Sequence, residues 1–130
     1  MTSRPDDQEP AVPTLTALAG TATAAFSAAV IAVPSALLRP CGLDDDRSTR
    51  ALVRMVCARD VVLGVALASA PAGPLRRRAV AGRVVADLTD AAALAVGLAG
   101  RPQRGLVSAS AAVWGLVCLT AAALDERAGR

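Results

Sequence analysis

The sequence predicts an all-α protein: a bundle of four transmembrane helices running up, down, up and down through short loops. Three observations predict it. Hydrophobic residues make up 54% of the 130 and mean hydropathy is +0.47, too apolar for a chain that stays disordered. Residues 10–38 form an uncharged run of 29 and residues 105–124 a second of 20; roughly 20 residues suffice to cross about 30 Å of hydrocarbon as a helix. Two further apolar segments lie between these runs, closed by Pro- and Gly-rich breaks. A soluble four-helix bundle would carry a polar face on every helix, and the first and fourth segments show none.

The elements follow in order. Residues 1–12 are polar, Pro-containing and acidic, and read as a disordered tail. A secretory signal would need a positive leader, and here Arg4 is outweighed by Asp6, Asp7 and Glu9. The membrane domain covers residues 13–125, with spans at about 14–33, 48–70, 79–99 and 105–124, and residues 126–130 form a C-terminal tail. Pro34 ends or kinks the first span, because its ring excludes a helical hydrogen bond. Arg76, Arg77 and Arg78 read as a membrane-flanking loop. Small residues four apart, at Gly20/Ala24, Gly64/Ala68, Gly82/Ala86 and Ala111/Gly115, allow helices to approach closely.

Composition excludes several chemistries. The chain has no His and all 14 of its basic residues are Arg, which removes His-based triads and most zinc and haem sites. No CxxC pair is present. Cys57 and Cys118 lie inside apolar segments as small hydrophobes, so neither a metal site nor a cofactor is expected. The pI near 9.3 does not imply nucleic acid: the charge is not gathered in a stripe, and one Phe and one Trp make no base-stacking surface. The expected location is the bacterial cell membrane, multi-pass. Six Arg flank the side of the termini against five on the other, a bias toward cytoplasmic termini.

The middle two segments carry Arg54, Arg59, Asp60, Arg83, Asp87 and Asp90. Each charge near a bilayer centre costs about 2.5–3.5 kcal/mol, so these groups must face inward and find partners, shielded by the two charge-free helices. At about 100° per residue, Arg83, Asp87 and Asp90 share a face, and Arg83 and Asp87 have the i,i+4 spacing of an ion pair. Counted from the turn at Pro74, Arg59, Asp60, Asp87 and Asp90 lie at similar depth, so Arg59 is expected to pair with Asp87 or Asp90 across the helices. Arg59 and Asp60 are neighbours pointing about 100° apart, so one should face the third helix and the other elsewhere. Two Arg against three Asp leave a surplus negative charge, to be met by a protonated carboxyl or by Arg54 reaching in. Phe26 and Trp114, each near mid-span, are candidates to cap an apolar pocket above the cluster.

The Cys57–Gly64 stretch CARDVVLG, preceded by Pro34, Arg39 and Gly42-Leu43 and followed by ADLTDAAA at Ala86–Ala93, resembles a family of small four-helix integral membrane proteins from high-GC bacteria. That family is a domain of unknown function. The resemblance implies a membrane fold and an emphasis on Arg59, Asp60, Asp87 and Asp90, and implies no activity.

Intramembrane ionisable groups point to a functional site. The expected function is binding of a lipophilic or amphiphilic small molecule, with Arg54, Arg83, Phe26 and Trp114 in its pocket. The alternative is an intramembrane acid–base enzyme (an isomerase, cyclase or epoxide hydrolase) on a hydrophobic natural product. There Asp60, Asp87 and Asp90 would be acid and base, with Arg59 as orienter. A proton or ion conduit built by homo-oligomers and a structural membrane subunit complete the set. The bland alternative is a buried network that only fixes helix register.

Overall fold

In the computed structural model, which describes residues 12–130, the helices are α1 (Leu15–Ala32), α2 (Ser35–Leu38), α3 (Arg47–Ser69), α4 (Pro74–Gly97) and α5 (Arg104–Ala128). All but one residue of the expected 1–12 tail lies outside the described residues. α1 starts at Thr14, whose hydroxyl accepts from the Ala17 N–H, an N-cap that satisfies one of the helix's orphan donors. It stops before Pro34, as the missing donor requires. The chain then makes a single helical turn, α2, between the first two expected spans. Its Leu38 is fully buried, so the turn plugs that end of the helices.

Two other boundaries differ from expectation. α4 begins at Pro74 rather than near residue 79, so Arg76, Arg77 and Arg78 lie in its opening turns instead of a loop. Proline at the first helical position sets φ and gives up a donor that would be orphaned anyway, and Arg is a good helix former. α5 runs on to Ala128 through the charged residues expected to be tail. Asp125 is held there by the start of α1: its carboxylate accepts from the Leu15 N–H at 3.0 Å, from the Thr16 N–H at 2.8 Å and from the Thr16 hydroxyl.

That contact sets the two termini of the helical region at one end. At the other end the Arg101 guanidinium donates to the Gly42 carbonyl, joining the α2–α3 loop to the α4–α5 loop. Gly42 has φ of +64° and packs against Gln103, where a Cβ would lie 2.8 Å from side-chain atoms. The four long helices therefore alternate in direction. Each packs on its neighbours in the order α1, α3, α4, α5, and α5 closes on α1.

The tightest contact is α1 on α3. A Cβ on Gly20 would sit 2.4 Å from the Ala68 nitrogen and 2.6 Å from the Gly64 oxygen. One on Gly64 would sit 2.7 Å from both the Ala24 nitrogen and the Gly20 oxygen. The two small-residue motifs read from the sequence thus interlock backbone to backbone. The Gly82/Ala86 motif does not: a Cβ on Gly82 would meet only a Leu63 methyl at 3.9 Å. Leu67, Val80, Cys118 and Ala122 form the central apolar cluster with Ala19, and Cys41, Cys57 and Cys118 are buried and free.

The distribution of polarity is inverted. Thr16, Thr23, Ser27, Arg83 and Asp87 are buried, whereas Leu18, Phe26, Val62, Val85, Leu106 and Leu116 are exposed. α1, charge-free in sequence, turns Thr16, Thr23 and Ser27 inward and Leu15, Leu18 and Phe26 out, although Thr21 is exposed and Val30 buried. α1 and α5 are each long and apolar enough to cross a membrane.

Gly20→Ala should lower stability by about 1–3 kcal/mol or more, because backbone atoms cannot move aside as side chains do. Gly82→Ala should be neutral or slightly stabilising, by about 0.5–1 kcal/mol, through helix propensity. Thermal unfolding in detergent micelles checks the pair.

A second prediction concerns pH. Asp46 caps α3, accepting from the Thr49 N–H at 2.9 Å. That bond, with a second from the Thr49 hydroxyl, holds the carboxyl below its ordinary value. A lowered native value means the cap contributes fully above the ordinary carboxylate range and is lost as pH falls from about 4 through the native value. Asp46→Asn should remove that part of the acid sensitivity, read as faster exchange of the Thr49 amide on acidification in the wild type only.

Candidate functional site

The charges of α3 and α4 meet at mid-helix. Asp90 lies on α4, one turn beyond Asp87 and two beyond Arg83, and all three face the α3 seam or the interior. Arg59 reaches across from α3 and grips Asp90 with two parallel bonds: Nη1 to Oδ1 at 3.0 Å and Nη2 to Oδ2 at 2.5 Å. The fork of the guanidinium matches the two carboxylate oxygens, which makes this geometry both strong and directional.

The same guanidinium also donates to Asp60 Oδ1, from Nε at 3.0 Å and Nη2 at 2.8 Å. Arg59 and Asp60 were expected to face different neighbours. The Arg side chain is long enough to bend back along its own helix, so both residues join one network. Asp60 Oδ1 in turn lies 3.2 Å from Arg83 Nη1. Arg83 Nη1 is buried and makes no hydrogen bond, so this contact is ionic. The Arg83 Nε and Nη2 atoms donate to the two oxygens of Asp87, one turn along α4.

The result is a thread of alternating sign: Asp90, Arg59, Asp60, Arg83, Asp87. It crosses from α4 to α3 and back. Alternation explains how three carboxylates live with two guanidiniums, since each Arg lies between two Asp and no two like charges are adjacent. The formal sum is one negative charge. Arg54 does not offset it. Its Nε donates to the Ile31 carbonyl at 3.1 Å, serving the C-terminal end of α1, where unpaired carbonyls favour a cation.

The thread is sealed at one end and open at the other. Asp87 and Arg83 side chains are 2% and 5% exposed, whereas Arg59 is 37% exposed. α5 makes the seal: a Cβ on Gly115 would come within 3.1 Å of the Asp87 Cβ, so the glycine lets α5 approach that carboxylate closely. The sequence marked Gly115 as a helix-packing residue and gave no hint of this role. The open end faces outward along the α3–α4 seam, the most thinly packed of the four. The two charge-free helices therefore shield only half of the network.

The aromatic residues do not cap it. Phe26 is 61% exposed on the outside of α1. Trp114 is half-buried between α1 and α5, where its indole N–H donates to the Thr23 hydroxyl at 2.9 Å, and Thr23 donates to the Ala19 carbonyl. Trp114 lines an apolar groove of about 570 Å³ between α1 and α5, with Leu18 and Leu116 among its walls. A second groove of about 300 Å³ runs between α4 and α5 under Arg76 and Arg77. Neither is lined by a carboxylate of the thread. The Asp125–Thr16 clasp was missed in sequence; the signal available was an Asp directly after the last apolar residue, Leu124.

No family model matches the chain, and neither a curated protein nor a solved structure matches it.

The sealed and open ends should respond differently to truncation. Asp87→Ala leaves the buried Arg83 with only its ionic contact to Asp60 and should cost about 3–5 kcal/mol. Asp90→Ala leaves Arg59 partly exposed and still paired with Asp60, and should cost well under half as much. Replacing Arg83 and Asp87 together by Leu should recover most of the loss seen in Asp87→Ala. Thermal unfolding in detergent ranks the three.

Proposed function

We propose that the chain is a four-helix integral membrane protein of the bacterial cell membrane, with cytoplasmic termini. We further propose that the open end of its charge thread receives the polar end of an amphiphile from the lipid phase. The inverted polarity supports the membrane part: an apolar exterior over buried Thr16, Thr23, Arg83 and Asp87 is stable where the surroundings are hydrocarbon.

The observation that carries the binding part is the lateral opening at Arg59 and Asp90, combined with the thread's surplus negative charge. An amphiphile entering sideways from the bilayer meets this pair first. The surplus favours a cationic head, so the ligand class is a lipophilic amine. Its ammonium would lie against Asp90 and Asp60, with Arg59 swinging aside or sharing a carboxylate. Neither groove described above contains Asp60, Asp87 or Asp90, so the amphiphile reading and the acid–base enzyme reading both rest on the lateral opening alone.

A second reading has its own observation. Every nitrogen of Arg59 is hydrogen-bonded within the thread, as expected of a structural membrane subunit whose charges only fix helix register.

Titration of the detergent-purified protein with dodecylamine, and with dodecanol as the neutral control, separates the two readings. Amine binding at least about tenfold tighter than the alcohol, reduced about tenfold or more by Asp90→Asn in a protein that stays folded, is the expected result. Equal binding of amine and alcohol, or amine binding indifferent to both Asp60→Asn and Asp90→Asn, rejects the ligand reading and leaves the register network.

A further inference from the structure

The first turns of α4 carry a concentration of positive charge that the fold does not use. Gly73 at the N-cap offers no side-chain bond, and no acidic residue lies in the first turn. Arg76, Arg77 and Arg78 follow at once. A helix N-terminus already carries about half a positive charge, so cations there are unfavourable. The described partners are thin. Arg76 Nε reaches the Ala70 carbonyl only at 3.4 Å, and Arg77 Nη1 stands 3.9 Å from Glu126 Oε1, with both side chains largely exposed. The neighbouring Asp125 carboxylate is already engaged by Leu15 and Thr16.

Directly beneath these arginines lies the α4–α5 groove of about 300 Å³, with Val80, Leu119 and Ala123 in its apolar walls and Arg76 and Arg77 at its mouth. Its length follows the helix axes. From Glu126 to Leu119 on α5 is about 10 Å at 1.5 Å per residue. A cationic mouth at the end of the helices opens into an apolar channel running toward their middle.

We propose that this groove is a site for an anionic phospholipid, with the phosphate held by Arg76 and Arg77 and one acyl chain laid along Val80, Leu119 and Ala123. The inference rests on the membrane reading above. Charge complementarity selects the head: the groove's lining holds two Arg against one Glu, which leaves a net positive mouth. A guanidinium fork pairs with two phosphate oxygens at once. The apolar channel selects a lipid over a soluble phosphate, because inorganic phosphate would leave it empty. Basic pockets between transmembrane helices hold anionic lipids on these grounds.

The test uses the full-length protein reconstituted in nanodiscs of phosphatidylcholine with a minor fraction of phosphatidylglycerol, the lipids retained on gentle extraction being read by native mass spectrometry. Retention of phosphatidylglycerol over phosphatidylcholine is expected. Each of Arg76→Gln and Arg77→Gln should reduce it about fivefold, and Leu119→Trp, which fills the groove, should reduce it as well. Arg39→Gln, at the opposite end, should not. Retention indifferent to the lipid head, or unchanged in the Arg76→Gln/Arg77→Gln variant, overturns the site while leaving the membrane reading intact. A chain that stays in solution without detergent and does not enter the nanodisc overturns both.

Discussion

The Arg83–Asp87 ion pair is the constraint around which the remaining structure is arranged. Two full charges lie in the interior, 5% and 2% exposed, in a chain whose outer surface is largely apolar. Such a pair is tolerable only with near-ideal geometry and with its spare valences met. The i,i+4 spacing supplies the first. Asp60 answers the free edge of Arg83 by charge alone, 3.2 Å from Nη1 and without a hydrogen bond, and Arg59 in turn holds Asp60. Asp90 completes the sequence by gripping Arg59. One buried pair thus recruits three more charges, and the crossing from α4 to α3 and back follows from that recruitment.

Packing is divided in a complementary way. α1 meets α3 through the interlocked glycines Gly20 and Gly64, and α5 meets α4 where Gly115 makes room for Asp87. Those contacts are steric and depend on the absence of side-chain atoms. The α3–α4 seam depends on charge. An ionic thread needs no close backbone approach, so this seam stays thin and leaves Arg59 accessible from outside. The same arrangement that stabilises the interior therefore produces the lateral opening.

Much of this was legible in the residues. Small residues four apart marked the α1–α3 contact, and Arg83/Asp87 followed from helical spacing. Counting equal distances back and forth from the turn set Arg59 opposite Asp87 or Asp90, and the structure selects Asp90. What escaped were features set by side-chain reach rather than by direction. Arg59 folds back onto Asp60 because its chain spans the angle that the Cβ vectors open. Arg54 and Phe26 were placed by depth along a helix, but azimuth decides contact, and theirs turn away from the thread. The hydroxyls of α1 were invisible as a polar face because Thr and Ser are too weakly polar to stand out in a hydropathy pattern. Yet Thr16, Thr23 and Ser27 are spaced by seven and four residues, two turns and one, which puts them on one buried stripe. The helix ends were misjudged where Arg and Asp were read as loop, although neither residue stops a helix.

The glycine clasp between α1 and α3 bears on how the molecule is made. Those helices are joined through residues 33–46, which include α2, and α4 and α5 through residues 98–103, so each tight pair is formed by segments that are consecutive among the long helices. The first hairpin is complete in the nascent chain when residue 69 has emerged, with α4 not yet synthesised. Until Arg83, Asp87 and Asp90 arrive, Arg59 and Asp60 have only each other for company. Their adjacency gives α3 one ion pair of its own, to which α4 adds Asp90 on one side and Arg83 on the other.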